Sequence, residues 1–475
     1  MKLRKTTAGL LLAALTGGCA ASVPREAGFP DVERTVAERT GGQRVHWNQG
    51  TASDAAVAES VNAMLAKELS VEQAVQVALL NNRNLQATYE ELMIAQAELV
   101  EAGLLRNPVF DAEIRFTEGG EGTGVEMAIV QDFIDVLYIP LRKRMAAAAF
   151  EGAKLRVAGE VLDLVGNVRA AYYSLQGSQQ TLEMRRQVLA ATEASYDLAQ
   201  RLRAAGNNRE LDLANERALH EQSKLDVRAA EAQVAMDREA LNRLMGLWGA
   251  RTEWTVAPRL PDVPAESVDI AGLERQAIER SIDLAAARRD VEQAARGVGI
   301  AAPFGGIDEA ELGVSAEREP DGEWAAGPVF SLPIPLFNQG RPVVAAARAR
   351  LRQSRERYAA TAIEIRSRVR AAHAAVAAYR DQAHYYEAVI LPLRQRIVEL
   401  TQLQYNAMQI GAFQLLDAKQ AQIDAGNGYI RTLRDYWIAR TELDLLLSGH
   451  MASLDGNTDM NESSASLARA GEGGH

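Results

Sequence analysis

Val168-Arg169-Ala170-Ala171 recurs further along the chain as Val369-Arg370-Ala371-Ala372. Around the first copy, Val161, Val168, Leu175, Leu182, Leu189 and Tyr196 follow one another at heptad spacing. They lie in a stretch from Leu141 to about Ala204 that has no proline and almost no glycine. A sustained heptad seam needs other helices to lie along, because one narrow apolar stripe cannot form a globular core. At 1.5 Å per residue this rod spans about 95 Å. Carried along at the spacing that relates the two tetrapeptides, the seam from Val168 to Tyr196 becomes Val369, Val376, Ala383, Ile390 and Ile397. Order and phase are both kept, which reads as an internal duplication. Pro392 interrupts the second rod and predicts a kink there.

Working outward, each rod follows a change of hydrophobic period. Phe110, Ala112, Ile114 and Phe116 alternate with Asp111, Glu113 and Arg115, a strand with one oily and one charged face. A glycine-rich turn, Glu118 to Gly124, leads to a second strand from Val125 to about Phe133, and Ile139-Pro140 closes the section before the rod. In the second half, Leu312, Val314 and Ala316 alternate with Glu311, Gly313 and Ser315 in a strand from Ile307 to Glu317. Its partner runs from Trp324 to Leu332. Such hairpins fit either a soluble insert or a water-filled membrane barrel, whose lumen requires the charged face.

Before each hairpin come a short helix and a longer one. The first opens at Ser70, an N-cap with Gln73 in the capping-box position. Ala78-Leu79 before Asn84-Leu85 is matched by Ala277-Ile278 before Asp283-Leu284. After each rod comes a tight turn, at Gly206-Asn207-Asn208 and at Gly411, and a return helix that must pack antiparallel. These features divide the chain into a lead-in at 19–68, a first repeat at 69–247, a proline-bearing linker at 248–267, a second repeat at 268–449 and a disordered tail at 450–475.

The amino terminus reads as an export signal over 1–18: basic Lys2, Arg4 and Lys5, an apolar run from Ala8 to Leu15, then Thr16-Gly17-Gly18-Cys19. Cys19 is the only cysteine, placed where bacterial lipoproteins are cleaved and lipidated, and Ala20 lacks the aspartate that retains lipoproteins at the inner membrane. An outer-membrane address follows, and intrachain disulfides are excluded. The net charge of −11 speaks against nucleic acid. Aromatics at 5% argue for helices over a large aromatic core. No cofactor or catalytic constellation is expected. His373, His384 and His450 have no zinc-like spacing with cysteine, Glu118 to Gly124 lacks a phosphate-loop lysine, and Met408 reads as packing rather than a copper ligand. The chain is not read as an enzyme.

The ordered set of helix, helix, two amphipathic strands, rod, tight turn and helix, given twice, resembles the TolC-type outer-membrane factors of tripartite efflux pumps, lipoprotein members above all. Ala102-Gly103-Leu104-Leu105-Arg106-Asn107-Pro108 before the first strand is similar to the family pattern. The resemblance covers about Leu69 to Ser448. It implies a mainly α fold with a small membrane β part, and a homotrimer closing a twelve-stranded barrel over a coiled-coil periplasmic tunnel. It also implies a periplasmic adaptor docked at the helix tips, an inner-membrane transporter behind it, and an exit-duct function. The residues aligned with the docking tips are Gly206, Asn207, Asn208 and Glu210, with Gly411, Ala412, Phe413 and Gln414 taken as matching them. Gly206 and Gly411 read equally as helix caps. Asp417, taken as the partner of Asp212, aligns with acids that ring the closed aperture; both also read as first-turn residues favoured by the helix dipole. The likeness to metal-pump factors leans the cargo towards heavy-metal cations, with drugs and other small molecules open. The rival readings are a structural coiled-coil protein anchored to the outer membrane and a type I secretion duct.

Overall fold

A computed structural model describes residues 22–116, 123–207, 209–266, 269–304, 310–319 and 322–452. The expected lipidation site at Cys19, tip residue Asn208 and the tail from 453 lie outside them. The chain divides into two compact units.

One unit comprises 1–30, 90–154 and 286–357 and is built on a four-stranded antiparallel sheet. Its strands are β2 (Val109–Phe116), β3 (Thr123–Asp132), β5 (Glu311–Arg318) and β6 (Trp324–Ser331), hydrogen-bonded in that order, so the two halves of the duplication meet at β3 and β5. Glu126 stands opposite Glu113 on one side and Glu317 on the other, which fixes the register. Gly313 is required there. A Cβ would collide with the carbonyl of Ile129 and would lie 2.9 Å from Val130 Cα.

The other unit comprises 31–89, 155–285 and 358–475 and holds helix hairpins. The lead-in is more structured than a partly helical strand of chain. It forms α1 (Phe29–Thr40) and α2 (Ala52–Leu65), with Val32, Val36, Val45 and Trp47 buried. Gln76 and Gln86 pin the intervening loop by hydrogen bonds to the backbone of Arg44, His46 and Asn48. In α3 (Val71–Asn81) the capping box forms as expected: the Ser70 hydroxyl accepts from Gln73 N and the Gln73 side chain accepts from Ser70 N. α4 (Arg83–Glu101) follows.

The first rod, α5 (Ile134–Ala204), is 71 residues long and begins about two turns before Pro140 rather than after it. Asp132 Oδ1 accepts from Ile134 N at 3.1 Å and caps the helix. Val161, Val168 and Leu175 are wholly buried, while Leu189 and Tyr196 are half-buried. α6 (Glu210–Met245) returns along α5, and the ion pairs Arg185–Asp226 at 2.9 Å and Arg186–Glu231 at 3.0 Å cross between them.

The linker is an ordered strap over residues 248–266. A 3-10 turn at Gly249–Thr252 leads to β4 (Thr255–Val256), which pairs in parallel with β1 (Glu68–Leu69). Trp254 donates to Asn242 Oδ1 at 2.7 Å, Arg238 stacks over its ring, and Gln176 donates to Ala257 O and Arg259 O. The prolines forbid helix but leave carbonyls to pair with neighbours.

The second repeat gives α7 (Leu273–Arg280), α8 (Ile282–Phe304), α9 (Arg341–Tyr385), α10 (Leu391–Asn406) and α11 (Ala412–Ser448). Ala277, Leu284, Val369, Val376, Tyr436 and Leu443 pack in one core. Pro333 and Pro335 keep the chain out of helix, and it bends at Leu336 and Phe337 before Gly340, so this rod starts later than the first.

Pro392 acts through a π-helical turn at Tyr386–Ile390, between α9 and α10. Leu391 N donates to Tyr386 O, one residue further back than an α-helix allows. The two repeats explain the turn. From Val369 to the tip of its hairpin the second rod has one residue more than the first has from Val168. A π turn absorbs one inserted residue without breaking the rod. The seam expected at Ile390 and Ile397 therefore moves on by one position beyond the turn.

Candidate functional site: the hairpin tips and the two-faced sheet

Both tips end their rods in the same hydrogen-bonded form. Gly206 N donates to Arg203 O and Asn207 N to Leu202 O; Met408 N donates to Tyr405 O and Gln409 N to Gln404 O. This is a Schellman closure, whose turn residue takes the left-handed conformation. Gly206 does so at φ +79°, but in the second hairpin the residue is Met408, at φ +58° and almost fully exposed. Gly411 is instead the extended residue before α11, as Arg209 is before α6.

The matching of tips read from sequence is therefore corrected by three positions. Gly206 corresponds to Met408, Asp212 to Gln414, and Asp417 to Asn215. The two glycines look alike in sequence, but hydrogen bonding and φ give them different places. Asp212 is a first-turn residue of α6, whereas Asp417 lies in the second turn of α11, beyond the best reach of the helix dipole. Phe413 and Gln414 are exposed, and so is Asp417, between the buried Leu415 and Ala418.

Glu210 pairs with Arg203 across the first tip at 3.2 Å, and Arg209 holds Asp212 at 2.9 Å. Tyr405, on α10, lies within electrostatic reach of Arg209, Asp212 and Glu216. Burial pushes its phenol up, the carboxylates of Asp212 and Glu216 act in the same direction, and Arg209 opposes. The two tips thus stand side by side in one chain. The reading of Met408 as a packing residue is corrected, since it is almost fully exposed; Arg209 and Tyr405 have no role in the sequence reading, because caps and inter-hairpin neighbours leave no periodic trace.

The sheet has two unlike faces. Phe110, Ile114 and Phe116 share one with Met127, Ile129, Leu312, Val314, Trp324 and Phe330. Aromatic side chains stand at both ends of this face: Phe116 and Trp324 at one, Phe110 and Phe330 at the other, with Phe133 6.1 Å from Phe330. Strands of eight residues span about 27 Å along their own axis, which at the roughly 35–45° tilt of membrane barrels covers about 20 Å of an apolar band about 25 Å tall. The opposite face carries Asp111, Glu113, Glu126 and Glu317 on the side of Arg115, and Asp132 and Glu311 at the other end. Arg115 bridges Glu126 at 2.6 Å, Glu113 at 3.0 Å and Glu317 at 3.4 Å. β2 and β6 each leave an unpaired edge in the single chain. No helix among the described residues is long and apolar enough to cross a membrane.

The outer membrane efflux protein family model matches residues 141–247 and 273–449. These cover the first rod and its return helix and nearly the whole of the second repeat, and the chain belongs to that family. It is similar to the cobalt-zinc-cadmium resistance protein CzcC of Cupriavidus metallidurans, at 22% identity over 80% of this chain and 90% of that protein. It is also similar to the outer membrane protein OprJ of Pseudomonas aeruginosa, at 32% identity over 38% of each chain. The outer membrane channel CmeC of Campylobacter jejuni shares its fold, with a TM-score of 0.68, 16% identity and coverage of 94% of this chain and 96% of that one. The chain is an outer-membrane efflux channel of the Gram-negative type; members of the family are channels, not enzymes.

Proposed function

We propose that this chain assembles as a homotrimer whose three sheets close a twelve-stranded barrel, and that the barrel passes divalent heavy-metal cations out of the cell. The carrying observation is the sheet, with its aromatic-ended apolar face, its acidic opposite face and its two open edges. An open edge cannot remain unpaired in lipid, and joining β6 of one copy to β2 of the next satisfies both. Closure with the acidic face inward makes a lumen that concentrates cations. Leu198, Leu211, Leu393 and Leu403, exposed on the single chain, would be covered by neighbouring copies. The similarity to a cobalt-zinc-cadmium resistance protein supports the metal cargo.

In this reading, Cys19 carries the lipid anchor. Gly206, Asn207, Asn208 and Glu210, with Gly411, Ala412, Phe413 and Gln414, receive a periplasmic adaptor that links the duct to an inner-membrane transporter. Three copies of Asp417 converge at the aperture. The test is conductance of the detergent-extracted protein in planar bilayers, with the reversal potential measured in a salt gradient. Cation-selective channels are expected, together with zinc, cobalt or cadmium sensitivity on deletion of the gene. A non-conducting or anion-selective trimer would overturn the reading.

A further inference from the structure

The two repeats close in different chemistry at the end of their last helix. After α6, Gly246 takes φ +68° and is followed by Leu247, buried and apolar. After α11, Gly449 takes φ +100° and is followed by His450, equally buried. The partner position differs in step. Asn82 Oδ1 caps Leu85 N in the first repeat and Ser281 Oγ caps Leu284 N in the second, which aligns Asn84 with Asp283. The positions of Leu247 and Asn84 in the first repeat are thus held by His450 and Asp283 in the second.

His450 is held on both sides. Nδ1 lies 2.9 Å from Asp283 Oδ1, at the start of α8, and Nε2 lies 3.1 Å from Asp163 Oδ1, on the first rod. Met451 N donates to the other Asp283 oxygen at 2.8 Å, and Gly159 leaves space for the ring edge. Beyond this pair, Arg39 from α1 and Arg280 at the end of α7 stand near Asp283, and Arg39 donates to Ser448 O at 2.6 Å. From α9, Arg368 donates to Ala452 O. The segment expected to be disordered from 450 is ordered and buried through Ala452. The carboxylates face opposite ring nitrogens, so they cannot converge on one metal ion; Asp283 hydrogen-bonds Nδ1, and Asp163 lies in ion-pair contact with Nε2 but off a well-directed hydrogen bond, an arrangement that suits an imidazolium.

We propose that His450 is a proton-operated clasp: protonated, it ties the end of the second repeat to the rod of the first through Asp283 and Asp163, and deprotonated it lets that end go. A neutral imidazole can donate from only one nitrogen, so losing the proton leaves one carboxylate facing a lone pair. Burial alone would lower the affinity of His450 for its proton, but the two carboxylates of Asp163 and Asp283 outweigh it and hold the pKa up at about 9. A histidine raised above its usual 6.5 contributes stability that is fully present below the lower value and is lost as pH rises through the higher one. The clasp is therefore closed at neutral pH and opens in alkali.

The test uses the full-length, detergent-extracted protein. Carbon-13 labelling of the histidine rings, with the His450 resonance identified by its loss in His450→Leu, follows its protonation directly in the wild type. Titration near pH 9 is expected, and titration at or below 6.5 would overturn the proposal. The second measurement compares the wild type with the doubly substituted His450→Leu/Asp283→Asn, which copies the first repeat's Leu247 and Asn84. The wild type's unfolding equilibrium constant should rise on the order of tenfold or more from pH 7 to pH 10 relative to the double variant. An unchanged ratio means that the histidine is packing and nothing more. Should the double variant fail to assemble, the wild-type ring titration decides alone.

Discussion

Gly428 on α11 lies directly under Tyr386, the first residue of the π-helical turn: a Cβ at position 428 would stand 2.6 Å from the tyrosine hydroxyl and 3.0 Å from its ring. The phenol end of Tyr386 lies over Gly428, and a Cβ there would push the ring off α11. Gly426, on the same helix, meets Met184 of the first rod at 2.9 Å in the same sense. Glycine inside a helix costs roughly 1 kcal/mol against alanine, a cost accepted here for close approach of the helices.

Gly428→Ala is therefore expected to destabilise the protein despite its better helix propensity. Gly428→Ala combined with Tyr386→Leu is expected to recover the loss, with a coupling energy of about 1 kcal/mol or more. Denaturant unfolding of the four proteins in a double-mutant cycle measures it. Additive effects would mean that the ring and the glycine are independent.

Met408 holds a left-handed conformation that costs a side-chain-bearing residue about 1 kcal/mol. Met408→Gly is expected to stabilise the second hairpin by about that amount, less the entropy glycine loses on folding. Gly206→Met, at φ +79°, should cost a similar amount. Hydrogen exchange at the amides of residues 403–409 and 201–207 reads both locally. If the bare-tip variant Met408→Gly also lowers efflux, the methionine has a role at the tip beyond turning the chain.

The two faces of the sheet predict an alternating pattern of chemical access. In outer membranes, a cysteine at Glu113 should react with a charged, membrane-impermeant thiol reagent, because it lines water. A cysteine at Ile114, the next residue, should be protected by lipid, since neighbouring side chains of a strand point to opposite faces. Equal labelling of the two would reject the membrane placement of β2.

The acidic face should set ion preference. Replacing Glu113, Glu126 and Glu317 together by glutamine leaves Arg115 without its partners at 3.0, 2.6 and 3.4 Å. The lumen then loses negative charge, and cation selectivity in planar bilayers should fall toward neutrality, most visibly at low salt, where screening is weak. An unchanged reversal potential would assign selectivity to the helical end of the duct.

Gly246 and Gly449 make the paired closures rigid. A Cβ on Gly246 would lie 2.6 Å from Asn81 O, and one on Gly449 would run into Arg280 O. Both residues have positive φ. Alanine at either site is expected to cost about 2 kcal/mol or more, from backbone strain and collision together. Thermal unfolding of each variant checks this, and a neutral result would mean that the two helix ends can separate freely.

The sequence by itself determined what repeats locally. Alternation assigned the oily and charged faces of β2 and β5, because neighbouring side chains of a strand point to opposite faces. Heptads marked the rods, and the shared tetrapeptide exposed the duplication. Ser70 and Gln73 capped a helix within four residues of chain. Tertiary structure decided what depends on two distant positions or on an unmarked shift. Asp132 starts α5 ahead of Pro140 by bonding to Ile134 N, and a proline inside a helix is tolerated when its neighbours hold the backbone. One additional residue in the second rod has no compositional sign, yet it makes the π turn and changes which tip residues correspond. Asp163, Asp283 and His450 are far apart along the chain and carry no spacing that predicts them. Only the folding of the second repeat's end onto the first repeat's rod brings both carboxylates to one imidazole, where burial makes their charges count.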